Sequence, residues 1–380
     1  MIQEKFYIQN WMSLQKGIVE MIKTLEDLFS VDPYSLDKIE KHQALTTILR
    51  DKSVYHQEKC PEYKRILKTL DVNPEELQSY YDVPMLPVRL FKDLELRSVD
   101  KDKVFKTMTS SGTSGQQVSK IYLDKETAAN QTKTLVKITS DFLGKKRLPM
   151  LIIDTKAIVK NRKLFSARGA GILGFSMLGY DVTYALDEDM KFDYETVEAF
   201  LEKHRNENIF LFGFTYIIWQ HLYKELKQSG RKLDLSRGIM LHGGGFKKLL
   251  DEAVDNDTYK KCLHEVCGLN KVYNYYGMVE QTGSIYMECE CGHLHASNFS
   301  DVIVRNPKDF SICQIGETGI IQVVTALADS YPGHSLLTED IGAILGEDDC
   351  PCGRKGKYFR IDGRIKSAEV RGCSDTYEKR

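Results

Sequence analysis

Between two apolar segments, Val104-Phe105 and Ile121-Tyr122-Leu123, lies Thr109-Ser110-Ser111-Gly112-Thr113-Ser114-Gly115, a stretch that leaves a chain few ways to fold. Five of its seven residues carry hydroxyls. Its glycines let backbone N–H groups converge with no Cβ in the way, and the hydroxyls add donors to the same concavity. Such a loop is expected to wrap an anion, a polyphosphate above all. It is not a Walker A loop, which needs Gly, four residues and then Gly-Lys-Ser/Thr in one block. Here the lysine, Lys120, stands beyond residues 116–119, so the phosphate is held on a different fold.

A chain of 380 residues is long enough for a large core and two or three subdomains. Its net charge of −1, with no basic block, argues against nucleic acid or an anionic membrane as the main partner and leaves a small molecule. Residues 1–15 mix Glu4, Lys5, Asn10 and Gln15 among apolar side chains, so no secretory signal is visible and a cytoplasmic protein is expected. The longest uncharged apolar run, from Ile209 to Leu222, is short for a bilayer and is broken by Gly213, Thr215, Gln220 and His221. It reads as a buried strand, a glycine turn and the start of a buried helix, which leaves no membrane span. Nine cysteines in a reducing compartment speak of metal binding or chemistry sooner than of disulfides, and Cys289, Cys291, Cys350, Cys352 and Cys373 all fall in the last quarter.

Apolar residues at three- and four-residue spacing predict helices from Ser13 to Phe29, Ser35 to Arg50 and Cys60 to Leu70, with a further helix start at Asn73-Pro74. Val83-Pro84-Met85-Leu86-Pro87 then forces an extended passage. From about residue 100, short apolar strands such as Met150 to Ile153 and Asn208 to Phe212 alternate with helical patterns, and the chain turns strand-rich near Ile320 to Val324. The fold class is therefore α/β, with mixed sheets covered by helices and a small strand-rich subdomain. Three parts are expected: a mostly helical region 1–95, an α/β core 96–345 and a final segment 346–380. Gly169-Ala170-Gly171-Ile172-Leu173-Gly174 matches the dinucleotide fingerprint by spacing, but no strand immediately precedes it, so a helix that packs closely through its glycines is the better reading.

Four further blocks carry chemistry. Tyr273 to Glu280 ends a strand in aromatics, turns at Gly277 and presents a carboxylate, a set suited to stacking on a purine and holding Mg²⁺ against phosphate oxygens. Leu337-Thr338-Glu339-Asp340-Ile341-Gly342 places an aspartate at a strand end, suitable for vicinal ribose hydroxyls. Arg360 to Lys366 closes with two cations, Arg364 and Lys366, and upstream Gly243-Gly244-Gly245 offers bare backbone to a flat ring.

In this order the five blocks resemble the adenylate-forming superfamily of acyl-CoA synthetases, and within it the acyl-protein synthetase (LuxE) family, with phenylacetate-CoA ligases as near relatives. The resemblance covers about residues 80–380 and implies the large-domain fold of adenylate-forming enzymes without a mobile C-terminal domain. It implies that Ser110 to Gly115, with Thr109, hold the ATP phosphates and that Gly243, Gly244 and Gly245 border the adenine. It also implies that Tyr276, at Gly277, stacks on the purine, Glu280 binds Mg²⁺, Asp340 takes the ribose hydroxyls and Arg364 contacts the nucleotide near the hinge. The larger enzymes carry a catalytic lysine on a domain beyond that hinge; this chain ends at Arg380, leaving Lys120 as the substitute. Members of the resembled family end in a cysteine that accepts the acyl group, which points to Cys373. Its neighbour Arg371 favours the thiolate, whose reference pKa is about 8.5.

Cys289-Glu290-Cys291-Gly292-His293-Leu294-His295 and Cys350-Pro351-Cys352-Gly353 have the look of a closed tetrahedral zinc site. Cys350 and Cys352 supply two ligands, while Cys289, Cys291 and His295 compete for the rest. The expectation is an enzyme that joins a fatty or related carboxylic acid to AMP, passes it to Cys373 as a thioester and then to a partner protein. By resemblance that partner is an acyl reductase. A CoA ligase and a non-catalytic zinc-stabilised binding module are the rivals.

Overall fold

The structure is a computed structural model and describes residues 22–110, 118–160 and 167–365. Up to Asp93 it is mainly helical. Thr24 caps the helix Leu25–Ser30 and Asp37 caps Lys38–Lys59, each accepting backbone N–H groups of the first turn. Pro61 opens Pro61–Thr69, where its missing N–H would have had no helical partner. The helix expected from Asn73 shrinks to one 3-10 turn, Pro74–Glu76, because Leu77 is already extended.

The strands are β1 (Leu86–Pro87), β2 (Lys106–Thr109), β3 (Lys120–Leu123), β4 (Leu148–Thr155), β5 (Gly179–Leu186), β6 (Ile209–Phe214), β7 (Gly238–Gly243), β8 (Lys271–Tyr276), β9 (Tyr286–Glu288), β10 (Leu294–His295), β11 (Ser300–Arg305), β12 (Gly319–Thr325), β13 (Ser335–Glu347) and β14 (Lys357–Arg364). β2 and β3 form a separate hairpin; the other twelve make one mixed sheet in the order β5-β4-β6-β7-β8-β9-β10-β14-β13-β12-β11, with β1 beside β13. From β5 to β8 neighbouring strands run parallel, and from β8 to β11 antiparallel. β4 and β6 are apolar and buried nearly throughout, as parallel strands covered on both faces must be.

Gly169 to Gly174 lie inside the helix Ala167–Ser176, and another helix, Ala157–Lys160, intervenes after β4. A Cβ on Gly171 would stand 3.2 Å from Phe214 Cζ, so the glycine serves a close helix-to-strand approach. No helix of the described residues is long and apolar enough to cross a membrane.

One apolar cluster runs from Ile22, Leu28 and Leu45 through β4, β6 and β7 to Leu327; a second gathers Tyr63, Phe91, Tyr286 and Phe359 against the antiparallel strands. The N-terminal helices are also tied to those strands by a buried carboxylate. Asp301 accepts from Lys357 Nζ at 2.8 Å, from Lys41 Nζ at 3.4 Å and from the Tyr80 hydroxyl. Burial alone raises a carboxyl pKa, but the two ammonium charges and the hydrogen bonds bring Asp301 down from 3.8 to about 2.

A folded-state pKa below the unfolded value gives stability that is present above about pH 4 and lost as pH falls toward 2. Asp301→Asn, which leaves two buried lysines without their counter-charge, is expected to lower unfolding free energy at pH 7 by about 3–5 kcal/mol, read as a lower denaturant midpoint. Between pH 4 and 2 the wild type should lose about 2 kcal/mol that the variant does not lose. Equal acid sensitivity of the two proteins would refute the clamp.

Candidate active site at the strand ends

In open α/β sheets ligands gather outside the carboxyl ends of the parallel strands. β8 ends there at Tyr276, whose hydroxyl donates to Asp340 Oδ2 at 2.6 Å. Burial, and then the Asp340 carboxylate, push the phenol pKa well above its usual value, so it stays protonated and donates. Asp340 pairs with Arg364 in the β13–β14 ladder; Arg364 Nε lies 3.5 Å from Asp340 Oδ1, and its NH2 lies 2.6 Å from Glu339 Oε2. The expected strand-end position of Asp340 is corrected by the structure: it stands within the thirteen-residue β13, beside a register shift between Ile341 and Gly342. Such an irregularity re-aims side chains in the middle of a strand.

Glu280 is buried in the 3-10 turn Val279–Gln281, three residues beyond the exposed Gly277. Tyr331 Oη donates to its carbonyl at 2.8 Å, and Gln281 Nε2 donates to the carbonyls of Val323 at 3.2 Å and Gly333 at 2.9 Å. The residue before Tyr331 reaches the other way, since Ser330 Oγ donates to the Tyr122 carbonyl on β3 at 2.8 Å. Two adjacent residues thus tie the Glu280 turn to the β2–β3 hairpin. In that hairpin Thr109 pairs with Lys120, which is exposed, and Ser119 N donates to Ser110 Oγ at 2.9 Å. Ser111, Gly112, Thr113, Ser114 and Gly115 lie outside the described residues, as does Cys373.

Gly243 ends β7 level with Tyr275. A Cβ there would stand 2.6 Å from Tyr275 Cε1, so the ring lies across a bare Cα. Gly244 turns with φ +73° and is exposed together with Gly245. Thr215 Oγ1 lies 2.9 Å from His242 Nδ1 and also reaches the Gly244 carbonyl, bracing this turn from the start of the helix Thr215–Ile218 that follows β6.

A second centre lies at the turns of the β9–β10 and β13–β14 hairpins. Ligand atoms of Cys289, His295, Cys350 and Cys352 all lie within 4.8 Å of one another. Cys289 and Cys350 Sγ are 3.9 Å apart, and Cys352 Sγ is 3.4 Å from His295 Nε2. Tetrahedral zinc, with bonds of about 2.3 Å to sulfur and about 2.0 Å to nitrogen, asks for S···S near about 3.8 Å and S···N near about 3.5 Å. The Cys289–Cys350 and Cys352–His295 separations match that requirement. Gly292 at φ +78° and Gly353 at φ +84° close two like turns, each donating to the carbonyl of the first cysteine at 3.0 Å. Cys291, the fifth candidate, is exposed and stands outside the group; its N–H donates to Cys289 Sγ at 3.3 Å. Arg354 binds this unit to the helix Lys125–Leu143 through Asp141 at 2.8 Å, and to Glu290 at 2.7 Å.

Nothing in the sequence marks Ser330, Tyr331, Glu339 or Thr215, because each acts by a bond to a segment far off in the chain.

A sheet that runs parallel on one side and antiparallel on the other, with helices covering it, is the large-domain fold of adenylate-forming enzymes. The crystal structure of an open conformation of 2-hydroxyisobutyryl-CoA ligase, in complex with 2-HIB-AMP and CoA, aligns with a TM-score of 0.66 at 16% identity, covering 88% of this chain and 77% of its own. The chain belongs to the acyl-protein synthetase (LuxE) family, whose model matches residues 12–380. Curated relatives include the long-chain-fatty-acid–luciferin-component ligases of Vibrio harveyi, 24% identical over 95% of this chain and 94% of the relative, and of Aliivibrio fischeri, 22% identical over 92% of each.

Tyr276→Phe removes the donor that joins β8 to β13 and is expected to cost about 1–2 kcal/mol, seen as a lower urea midpoint. An unchanged midpoint would show that this bond does not help hold the two strands together.

Proposed function

We propose that this chain activates a long-chain fatty acid with ATP and hands the acyl group to a protein by way of its own Cys373. A carboxylate oxygen of the acid attacks the α-phosphorus, the bond from that phosphorus to the bridging oxygen breaks, and pyrophosphate leaves with acyl-adenylate as product. The Cys373 thiolate then attacks the acyl carbon and releases AMP, and a nucleophile on the acceptor protein takes the acyl group and returns the thiol. The observation that carries this reading is the match to the acyl-protein synthetase family across residues 12–380, together with the array in which Tyr276 and Arg364, each at the end of its strand, meet Asp340 within β13.

In this reading Asp340 accepts the ribose hydroxyls, and Tyr276, fixed by its bond to Asp340, presents a ring face to the purine bordered by Gly243 to Gly245. Arg364 meets the nucleotide from β14, Glu280 would hold Mg²⁺, which would supply positive charge for the phosphates, and the loop from Thr109 to Gly115 would bind those phosphates. Lys120, at the base of that loop, adds a cation. Positioning and charge neutralisation supply most of the rate in such a displacement. Zinc held by Cys289, His295, Cys350 and Cys352 pins the β9–β10 turn to the β13–β14 turn, and so steadies the ladder that carries Asp340 and Arg364.

ATP–pyrophosphate exchange with labelled acids of graded length tests the first step, and Cys373→Ser tests the second. Exchange is expected in both proteins, with a hydroxylamine-labile covalent label only in the wild type. Equal thioester yield on added CoA from both would make the chain a CoA ligase, and no exchange with any acid would leave only a binding module.

Elemental analysis should find about one zinc per wild-type chain, lost in Cys350→Ser and kept in Cys291→Ser. Unchanged metal content in Cys350→Ser would overturn the site.

A further inference from the structure

A chain that passes an acyl group to another protein must seat that protein within reach of its own carrier thiol. Eight peptide steps separate Ile365, the last described residue, from Cys373, so the thiol lies no farther than about 28 Å from Ile365 by whatever path. Among the described residues two groups of exposed large apolar side chains lie close together along the chain. One is Leu173 and Met177 with Tyr180 and Val182, at the β5 edge of the sheet; the other is Phe310, Ile312 and Ile315, on the connection from β11 to β12.

Seven strand steps lie between β14 and β5, about 34 Å along the sheet, whereas two lie between β14 and β12, about 10 Å. The β11–β12 connection is also bound to the tail's own strand and its partner. Thr318 Oγ1 donates to Asp362 Oδ2 on β14 at 3.4 Å, and Gly316 N donates to the Ile344 carbonyl on β13 at 2.8 Å.

The connection is built, not slack. Phe310 sits at φ +59°, a conformation that bulky residues avoid, and is held there by its N–H to the Asn306 carbonyl at 2.9 Å and by Arg305 NH1 to its own carbonyl at 3.2 Å. Ile315 is 62% exposed, so most of its side chain meets water. Isolated apolar residues at a surface are ordinary, but three within six positions, one of them in a backbone conformation that bulky residues avoid, mark a contact surface.

We propose that Phe310, Ile312 and Ile315 form the seat of the acyl-accepting protein, an acyl reductase, placed so that Cys373 can deliver to it. This deepens the reading of Cys373 as acyl carrier and rests on it.

The test follows one label through three steps: from acid and ATP onto the wild-type chain, from the chain onto the purified acyl reductase of the same organism, and from the chain onto dithiothreitol, which needs no seat. In the double variant Ile312→Ser/Ile315→Lys, charging of the chain and discharge to dithiothreitol should match wild type, while transfer to the reductase falls about tenfold or more. Leu173→Lys/Met177→Lys, at the far edge, should leave all three steps unchanged. Unchanged protein transfer in the first variant, equal loss in the second, or a charged wild type that gives nothing to the reductase would each overturn the seat. A wild-type chain that never charges would instead overturn the carrier reading beneath it.

Discussion

The register of one antiparallel ladder, β13 against β14, sets both chemical centres. At one end it brings Asp340 opposite Arg364; at the other it ends in the turn that carries Cys350 and Cys352. The ladder is not regular. It shifts between Ile341 and Gly342 and again between Ile344 and Gly346. A Cβ on Gly342 would run into the Arg360 carbonyl, and one on Gly346 into the Tyr358 hydroxyl, so bare Cα positions are what allow β14 to close on β13 at those points. A one-residue slip in such a ladder turns every side chain to the other face. It would carry Asp340 away from Tyr276 and the Cys350 turn away from Cys289 together.

The ladder is held from outside by charge in a dry setting. Lys357, the first residue of β14, donates to Asp301 on β11, and Lys41 of the N-terminal helix Lys38–Lys59 meets the same carboxylate. In low dielectric an ion pair earns its place only when its remaining hydrogen bonds are satisfied. Here the Ala296 and Val302 carbonyls and the Tyr80 and Tyr81 hydroxyls take up the ammonium donors. The helical N-terminal region is therefore more than a lead-in, because it closes the clamp over the strand that bears Arg364.

The parts legible in the sequence are those whose physics is local. The apolar stretch Asn208 to Phe212 reads as a buried strand because covered parallel strands need no polar face, although the strand runs on through Gly213, where a turn is expected, to Phe214; Gly169 to Gly174 reads as a helix because no strand stands directly before it. Asp340 was misplaced at a strand end, since a register shift inside a strand leaves no mark in residue order. The choice of His295 over Cys291 within the four-donor group was likewise hidden: both lie at plausible spacing, and only the pairing of β10 with β14, His295 opposite Tyr358, draws the imidazole inward while Cys291 remains exposed on the turn. Ser330 and Tyr331 were invisible because their partners, Tyr122 and Glu280, are far off along the chain.

The last two residues of β8 show how little machinery separates two kinds of chemistry. Successive side chains of a strand point to opposite faces. Tyr276 goes to one face, where its hydroxyl meets Asp340 and its ring packs with Tyr286 and Phe359, and Tyr275 goes to the other, where its ring lies on Gly243 and 5.1 Å from Phe175, within reach of the apolar column with Phe212. An enzyme that joins a nucleotide to a fatty chain must bring a hydrated, charged partner and an apolar one to a single reacting carboxylate. In the function proposed above, strand alternation at β8 sets Tyr276 toward the nucleotide and leaves the Tyr275 face for the acyl chain.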